Sequence, residues 1–540
     1  MNRFVWLLGA LLLATGSSLT ARQLYQPSSA ITKENFDVTY YRLKLRLHTS
    51  PNQLLGQVLI KAISKTDNLR TLQLDLMRST MIIDSILMGA HKIHFLQDSA
   101  FFTVTLDRPH DVGELIALEI FYRNAFEGNR FGGFEFRSHG NNIPWIWSMG
   151  EPSWAKFWWP CKDHPRDKAD SADIIVTVDS SLSVASNGKL VSKTFNGDGS
   201  TTFHWHERYP IASYLISIAI SNYVIFSDWF KYSLVDSMEI INFALPEDLS
   251  DAKSTFRYAL DGLSIFSKYF GLYPFIKEKY GHAQVVNGLE NQTLTTISYL
   301  HFNEETVIHE LAHQWFGDMI TCRTWPDIWL NEGFATYCEA LYREKKYGDS
   351  SYVNAIRSYM NSAMKENGTI FIQDTNEMAR RFDPIVYYKG AVVLHMLRHI
   401  LGDSTFFRAM YNYANDPLLK YNVASTADFQ RVCKTTSGKN LSYFFNEWIN
   451  GENYPKYKFT WIVVPEGKHY NTKVTLSQTT NTKNPNFFTM PVDIQFSAPG
   501  WDTTITAFNN SNNQRFDFVL SHKPTTASLD PGNWILKVIQ

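Results

Sequence analysis

Two histidines four residues apart, with a glutamate beside the first, stand in the middle of the chain: His309-Glu310-Leu311-Ala312-His313. Four residues is little more than one helical turn. On a helix, both imidazoles reach from one face toward a single ion, with Glu310 next to them. The flanking residues ask for that helix. Ile308, Leu311, Ala312, Trp315 and Met319 form an apolar stripe, and Asn303 is placed to cap the first turn, so a helix from Glu304 to Met319 is predicted. Downstream, Trp329-Leu-Asn-Glu332-Gly-Phe-Ala reads as the opening of a second helix. His309, His313 and Glu332 make three ligands and leave a fourth tetrahedral position for water, as in a catalytic zinc site. Two imidazoles disfavour magnesium and calcium. A purely structural histidine pair is the competing reading of the first motif taken alone.

A 540-residue chain is too long for one core. From about residue 34 to 243 the pattern is strands, with alternation in Asp37–His48, Gln57–Ile63 and Ile174–Ser180. Helical spacing then takes over: 251–268, 328–346, 390–401 and 426–436 join the metal-motif helix. Strands return from Lys456. The expected fold is multidomain: an N-terminal all-β, saddle-like domain (22–243), a mostly α domain (244–455) and a C-terminal β-sandwich (456–540).

Residues 1–21 read as a secretory signal peptide. Arg3 supplies the positive start, Phe4–Ala14 is unbroken apolar sequence, and Gly16, Ser17, Ser18 and Ala21 are the small residues that follow. The apolar run falls short of the roughly 20 residues that a spanning helix needs. An uncleaved anchor is the alternative. The expectation is a secreted or periplasmic protein with no stable membrane insertion after cleavage. With 51 basic and 52 acidic residues the net charge is -1, so charge offers no case for nucleic acid as partner. Four cysteines without C-x-x-C spacing argue against a disulfide framework or a thiolate metal site. A Cys322–Cys338 pair is the alternative; buried free thiols are expected.

The motif His309–His313, eighteen residues, and then Glu332 of Asn-Glu-Gly-Phe-Ala resembles the gluzincin zinc metallopeptidases, and within them the aminopeptidase N family, which also includes leukotriene hydrolase. The resemblance implies a thermolysin-like catalytic domain, one Zn2+ per chain held by His309, His313 and Glu332, Glu310 as general base, and peptides with a free amino end as substrates. Asn287-Gly288-Leu289-Glu290-Asn291 is similar to that family's G-x-M-E-N loop, whose glutamate holds the substrate's α-ammonium; Glu290 takes that role, with Gly288, Leu289 and Asn291 around it. Asn287 and Leu289 depart from the pattern.

Tyr387-Tyr388-Lys389-Gly390-Ala resembles the segment Y-x-K-G-A. The register set by Lys389-Gly390 makes Tyr387 the phenol that steadies the oxyanion, and Tyr388 a packing residue. Glu151, in Trp147-Ser-Met-Gly-Glu-Pro152, matches a second acid toward the ammonium, with Met149 where the family often has glutamine. The large helical domain that follows the sandwich in bigger members is not expected here. An endopeptidase, a silent peptide-binding scaffold and a lipid-epoxide hydrolase are the rivals.

Overall fold

The structure is a computed structural model that describes residues 33–372 and 382–540; the candidate signal peptide lies outside the described residues. Two compact bodies emerge, one reaching to Trp325 and including Ala414–Ala424, the other made of Pro326–Tyr413 and Ser425–Gln540.

The first body is built on an eight-stranded sheet. Its central strand, Phe36–Thr49, buries Leu43, Leu45 and Leu47 while Lys44, Arg46 and His48 face solvent. That period of two is what holds a strand with one wet face. It pairs antiparallel with Asn52–Ser64 and parallel with Ser171–Asp179.

Two four-stranded sheets then position the site. One contains Phe134–His139, Ile143–Ser148, Ile218–Ser221 and Ser183–Ser186, with Glu151 in the turn after Ile143–Ser148. The other runs Val224–Lys231, Ser237–Ala244, Tyr280–Val285, Thr295–Ser298; its last two strands are parallel, and the loop between them carries Glu290.

Among the described residues, three α-helices complete this body: α1 (Leu249–Phe256), α2 (Tyr258–Phe270) and α3 (Glu304–His313). The single helix expected over 251–268 is divided at Arg257. Asn303 caps α3 as its position predicts, its Oδ1 accepting from the N–H of Thr306 at 3.0 Å.

The helix predicted to run to Met319 instead stops at His313. Beyond it the N–H groups of Asp318, Met319 and Ile320 reach back five residues, to the carbonyls of His313, Gln314 and Trp315. This wider winding needs Gly317 at φ +142°, a conformation that side chains resist. Trp315 and Met319 are buried all the same, which is why they imitate a continuing helical stripe.

In the second body, α4 (Trp329–Tyr347), α5 (Asp349–Ala363), α6 (Pro384–Leu401), α7 (Asp403–Ala414), α8 (Thr426–Ser437) and α9 (Ser442–Trp448) precede two sheets. α6 begins earlier than the expected Gly390, because Pro384 at its first turn suits a helix start. The sheets comprise Lys456–Glu466, His469–Thr479, Gln514–Leu520 and Val538–Ile539 in one, and Met490–Ala498, Trp501–Asn509 and Thr526–Leu529 in the other. Phe496 and Phe518 meet across them, ring centroids 5.5 Å apart, as the inner faces of a β-sandwich do.

All four cysteines are buried, and none forms a disulfide. Among the described residues no helix is long and apolar enough to cross a membrane.

Candidate active site

α3 delivers two imidazoles to one point. The Nε2 atoms of His309 and His313 lie 3.1 Å apart. Two nitrogens held at about 2.0–2.1 Å around a tetrahedral ion would be separated by roughly 3.3 Å, so the pair fits one metal. The Nδ1 of His313 is 3.1 Å from the carbonyl oxygen of Phe316, which fixes the ring proton on that nitrogen and leaves Nε2 as a lone-pair donor. His309 and His313 are buried in the first body, and Glu332 is buried on α4 of the second. Donor type, separation and tautomer therefore suit a zinc ion.

Carboxylates crowd the same place. Glu290, Glu310 and His313 bring ligand atoms within 4.8 Å of one another. Glu290, Glu310 and Glu332 are buried and Glu151 is half-buried. So many acids in a partly desolvated space repel one another unless cations join them. A metal ion answers for one part of the cluster. The other part, around Glu290 and Glu151, suits a positively charged ligand group.

The phenol of Tyr214 registers this field. Burial first, and then the charges of Glu290 and Glu151, hold its pKa well above the usual value.

The loop bearing Glu290 is rigidly drawn. Leu289 and Thr296 exchange both backbone hydrogen bonds, at 3.0 and 2.9 Å. Gly288 sits where an added Cβ would meet the carbonyl oxygen of Thr296 at 3.2 Å. The Asn291 side chain turns inward, donating to Thr296 Oγ1 at 3.0 Å, and Leu289 is also buried. Of the five-residue motif, Glu290 is the member that joins the acidic cluster, while Asn291 shapes the loop.

Tyr387 and Tyr388 part company on α6. Gly333, the residue after Glu332 on α4, meets α6 so closely that an added Cβ would lie 2.9 Å from the Cα of Gly390 and 3.0 Å from the carbonyl oxygen of Val386. Tyr387 precedes Gly390 by three residues and shares its face of the helix. The half-buried phenol thus stands on the side of α6 that crosses α4 beside Glu332. Tyr388 points elsewhere, its ring 5.7 Å from that of Tyr359 on α5.

The Peptidase M1 N-terminal domain matches residues 37–215, and the Peptidase family M1 domain matches residues 285–448, together well over half of the chain. The chain belongs to the M1 peptidase family. Among M1 relatives, the leucyl aminopeptidase of Saccharolobus solfataricus is 28% identical over 330 residues, 56% of this chain and 41% of that protein. Probable aminopeptidase 2 of Sulfurisphaera tokodaii is 30% identical over 325 residues, covering 55% and 40% respectively. The alignments thus span about two fifths of these curated relatives. A crystal structure of the M1 zinc metallopeptidase of Deinococcus radiodurans matches with a TM-score of 0.67 at 25% identity, over 77% of this chain and 95% of that one.

The M1 motifs leave part of the site unannounced. Asp318 is buried five residues past His313; burial and the nearby Glu290 push its carboxyl well above the usual range, and the Lys168 ammonium opposes them. Lys168 donates to the carbonyl oxygens of Asp318 and Met319, at 2.5 and 3.1 Å, and burial drives its own pKa down to about 7. Lys168 stands 150 positions before Asp318, in a short strand paired with Ile211–Ala212. Nothing in the sequence links the two, and they meet only in the fold.

Proposed function

We propose that the protein is a zinc-dependent aminopeptidase that hydrolyses the first peptide bond of substrates with a free N-terminal amine. The carrying observation is the cluster of Glu290, Glu310 and His313 within 4.8 Å of one another, with Glu290 and Glu151 both acting on the buried Tyr214 phenol. An amine acceptor this close to the metal leaves room for one residue between them, which selects the first bond. Membership of the M1 family and the aminopeptidase relatives support the same reading. So does the Deinococcus radiodurans metallopeptidase, one crystal structure of which is of a mutant bound to a Tyr-Ser-Ala substrate.

Glu290 and Glu151 accept the terminal ammonium and orient the peptide. Glu310 takes a proton from the attacking water and returns it to the departing amine. Tyr387 donates its O–H to the oxygen on which negative charge develops. Zinc, when bound, polarises the scissile carbonyl and acidifies the water. Chain residues do the rest: they bind, align and move one proton, with no covalent acyl step.

We further assign the protein to a secreted or periplasmic location, on the strength of the basic, apolar and small-residue order of residues 1–21. The test of the activity is a panel of aminoacyl reporter substrates, free and N-acetylated, with and without chelator. Hydrolysis confined to free amines, abolished by chelator and restored by zinc, is the expected result. Equal cleavage of acetylated substrates would establish an endopeptidase instead.

A further inference from the structure

Gln314 follows His313 directly and is wholly buried. A primary amide offers two N–H donors and two acceptor lone pairs, and here each has a destination. Nε2 donates to Asp318 Oδ2 at 2.7 Å and to the carbonyl oxygen of Glu290 at 3.2 Å. Oε1 accepts from the N–H of Thr293 at 2.9 Å and shares the Tyr273 hydroxyl proton with the carbonyl oxygen of Lys279, each at 3.1 Å. One side chain thus grips the loop at two points, at Glu290 itself and three residues later.

The loop has no slack at the second point. Thr293 is a β-branched residue at φ +64°, an unfavourable left-handed conformation that persists only where its surroundings impose it. They do so through all its polar groups. Its N–H goes to Gln314, its carbonyl oxygen accepts from Lys279 Nζ at 3.0 Å, and its hydroxyl reaches Glu207 Oε2 at 3.2 Å and accepts from the N–H of Gly188 at 2.7 Å.

We infer that Gln314 is a positioning residue for amine recognition, tying the Glu290 loop to the helix end that presents His313 and so setting the span between amine acceptor and metal. This rests on the amine-binding role proposed for Glu290. A span set by a fully satisfied amide is stiff, because each lost partner leaves a buried polar group unpaired. The carboxylate stays where an α-ammonium one residue from the scissile bond arrives, and geometry of this kind is worth large factors in binding and rate.

The test compares two ligands on the zinc-loaded protein: leucine hydroxamate and its des-amino analogue, which share the metal-binding group and the side chain but differ in the amine. The parent is expected to prefer the amino form at least tenfold. Gln314→Leu, of similar volume, should cut that preference about tenfold while keeping zinc content and affinity for the des-amino ligand within twofold of the parent. In the metal-free protein, the amide of Thr293 should exchange its hydrogen at least tenfold faster in the variant.

A preference retained in Gln314→Leu, or a parallel loss for both ligands, overturns the inference. A parent without any preference overturns the amine-binding reading itself, and the inference with it. Should Gln314→Leu not fold, Tyr273→Phe removes a single donor to Oε1 and should shift the preference two- to fivefold in the same direction; no shift there is equally fatal.

Discussion

The loop–helix segment from Glu290 to Asp318 and the crossing of α4 with α6 hold their functional side chains by opposite means. In the first, position comes from hydrogen bonds among buried polar groups: Gln314, Thr293, Lys279, Asp318 and Glu207. In the second it comes from contact, two glycines letting two helices approach until their backbones touch. A hydrogen-bonded scaffold fails when a partner is lost, because the other partner stays buried and unsatisfied. A contact scaffold fails when an atom is added, because a close-packed interior has nowhere to put it.

The largest effect tests the proposed general base, Glu310, on the hydrogen-bonded side. Glu310→Gln keeps shape and removes the proton acceptor, so hydrolysis should fall by about 10²–10⁴-fold. Zinc content, measured by elemental analysis, should match the parent, since Glu310 is not one of the three proposed ligands. Loss of the metal instead would move Glu310 into the ligand set.

On the contact side, Tyr387→Phe should lower kcat by about 10²-fold, near the ~3 kcal/mol that one oxyanion donor is worth, with KM little changed. Tyr388→Phe should leave kcat within about threefold, because its ring packs on Tyr359 and the change removes only a hydroxyl. Steady-state kinetics on both variants decides the register. A crippled Tyr388→Phe with an active Tyr387→Phe would reverse it.

Gly333→Ala probes the crossing itself. Helix propensity alone favours alanine over glycine by about 1 kcal/mol. The crossing forbids it, since the new methyl would lie 2.9 Å from the Gly390 Cα, and backbone cannot swing away as a side chain can. A destabilisation of about 1–3 kcal/mol in denaturant unfolding is expected. A stabilised variant would show that the helices part readily and that contact is not what holds Tyr387.

The two regions also differ in how plainly the chain declares them. The Glu332 and Tyr387 segments are legible because α4 and α6 are long, apolar-striped helices whose glycines sit inside recognisable motifs. α3 is legible up to His313, where Asn303 and the apolar stripe agree; past it, Trp315 and Met319 keep the helical spacing although the chain has already widened its turn. Gln314 carries no signal of its own, since a glutamine after a helix end reads as an ordinary polar residue. Its partners Tyr273 and Thr293 lie 41 and 21 positions away. Glu207, 86 positions from Thr293, ends a strand on the buried face it shares with Phe203 and Trp205, and no local pattern ties that acid to the loop. Contact scaffolds write themselves into local periodicity, whereas hydrogen-bonded ones are distributed over the chain and appear only when it is folded.

The smallest effect separates the regions by pH. Each contains a buried lysine whose ammonium caps a carbonyl oxygen: Lys389 donates to Gly451 at 3.0 Å, and Lys279 donates to Thr293, also at 3.0 Å. Burial lowers the pKa of Lys389 to about 7, with Glu452 opposing. It lowers Lys279 only to about 8, with the carboxyls of Glu207 and Glu278 opposing. An unfolded lysine titrates near 10.4.

In the window between the folded and unfolded values the unfolded chain binds the extra proton, so stability rises with pH there. The cost of burying Lys389 is therefore complete below about pH 7 and is relieved progressively up to about pH 10. Set against Lys389→Met, which has no such group, the parent should gain relative stability from pH 7 upward. Set against Lys279→Met, the gain should begin about one pH unit later, at about 8. Urea unfolding of the parent and both variants at pH 6, 7, 8 and 9 reads the two onsets. Coincident onsets would mean that Glu207 and Glu278 do not support the Lys279 charge, and that the polar scaffold is electrostatically no different from the packed one.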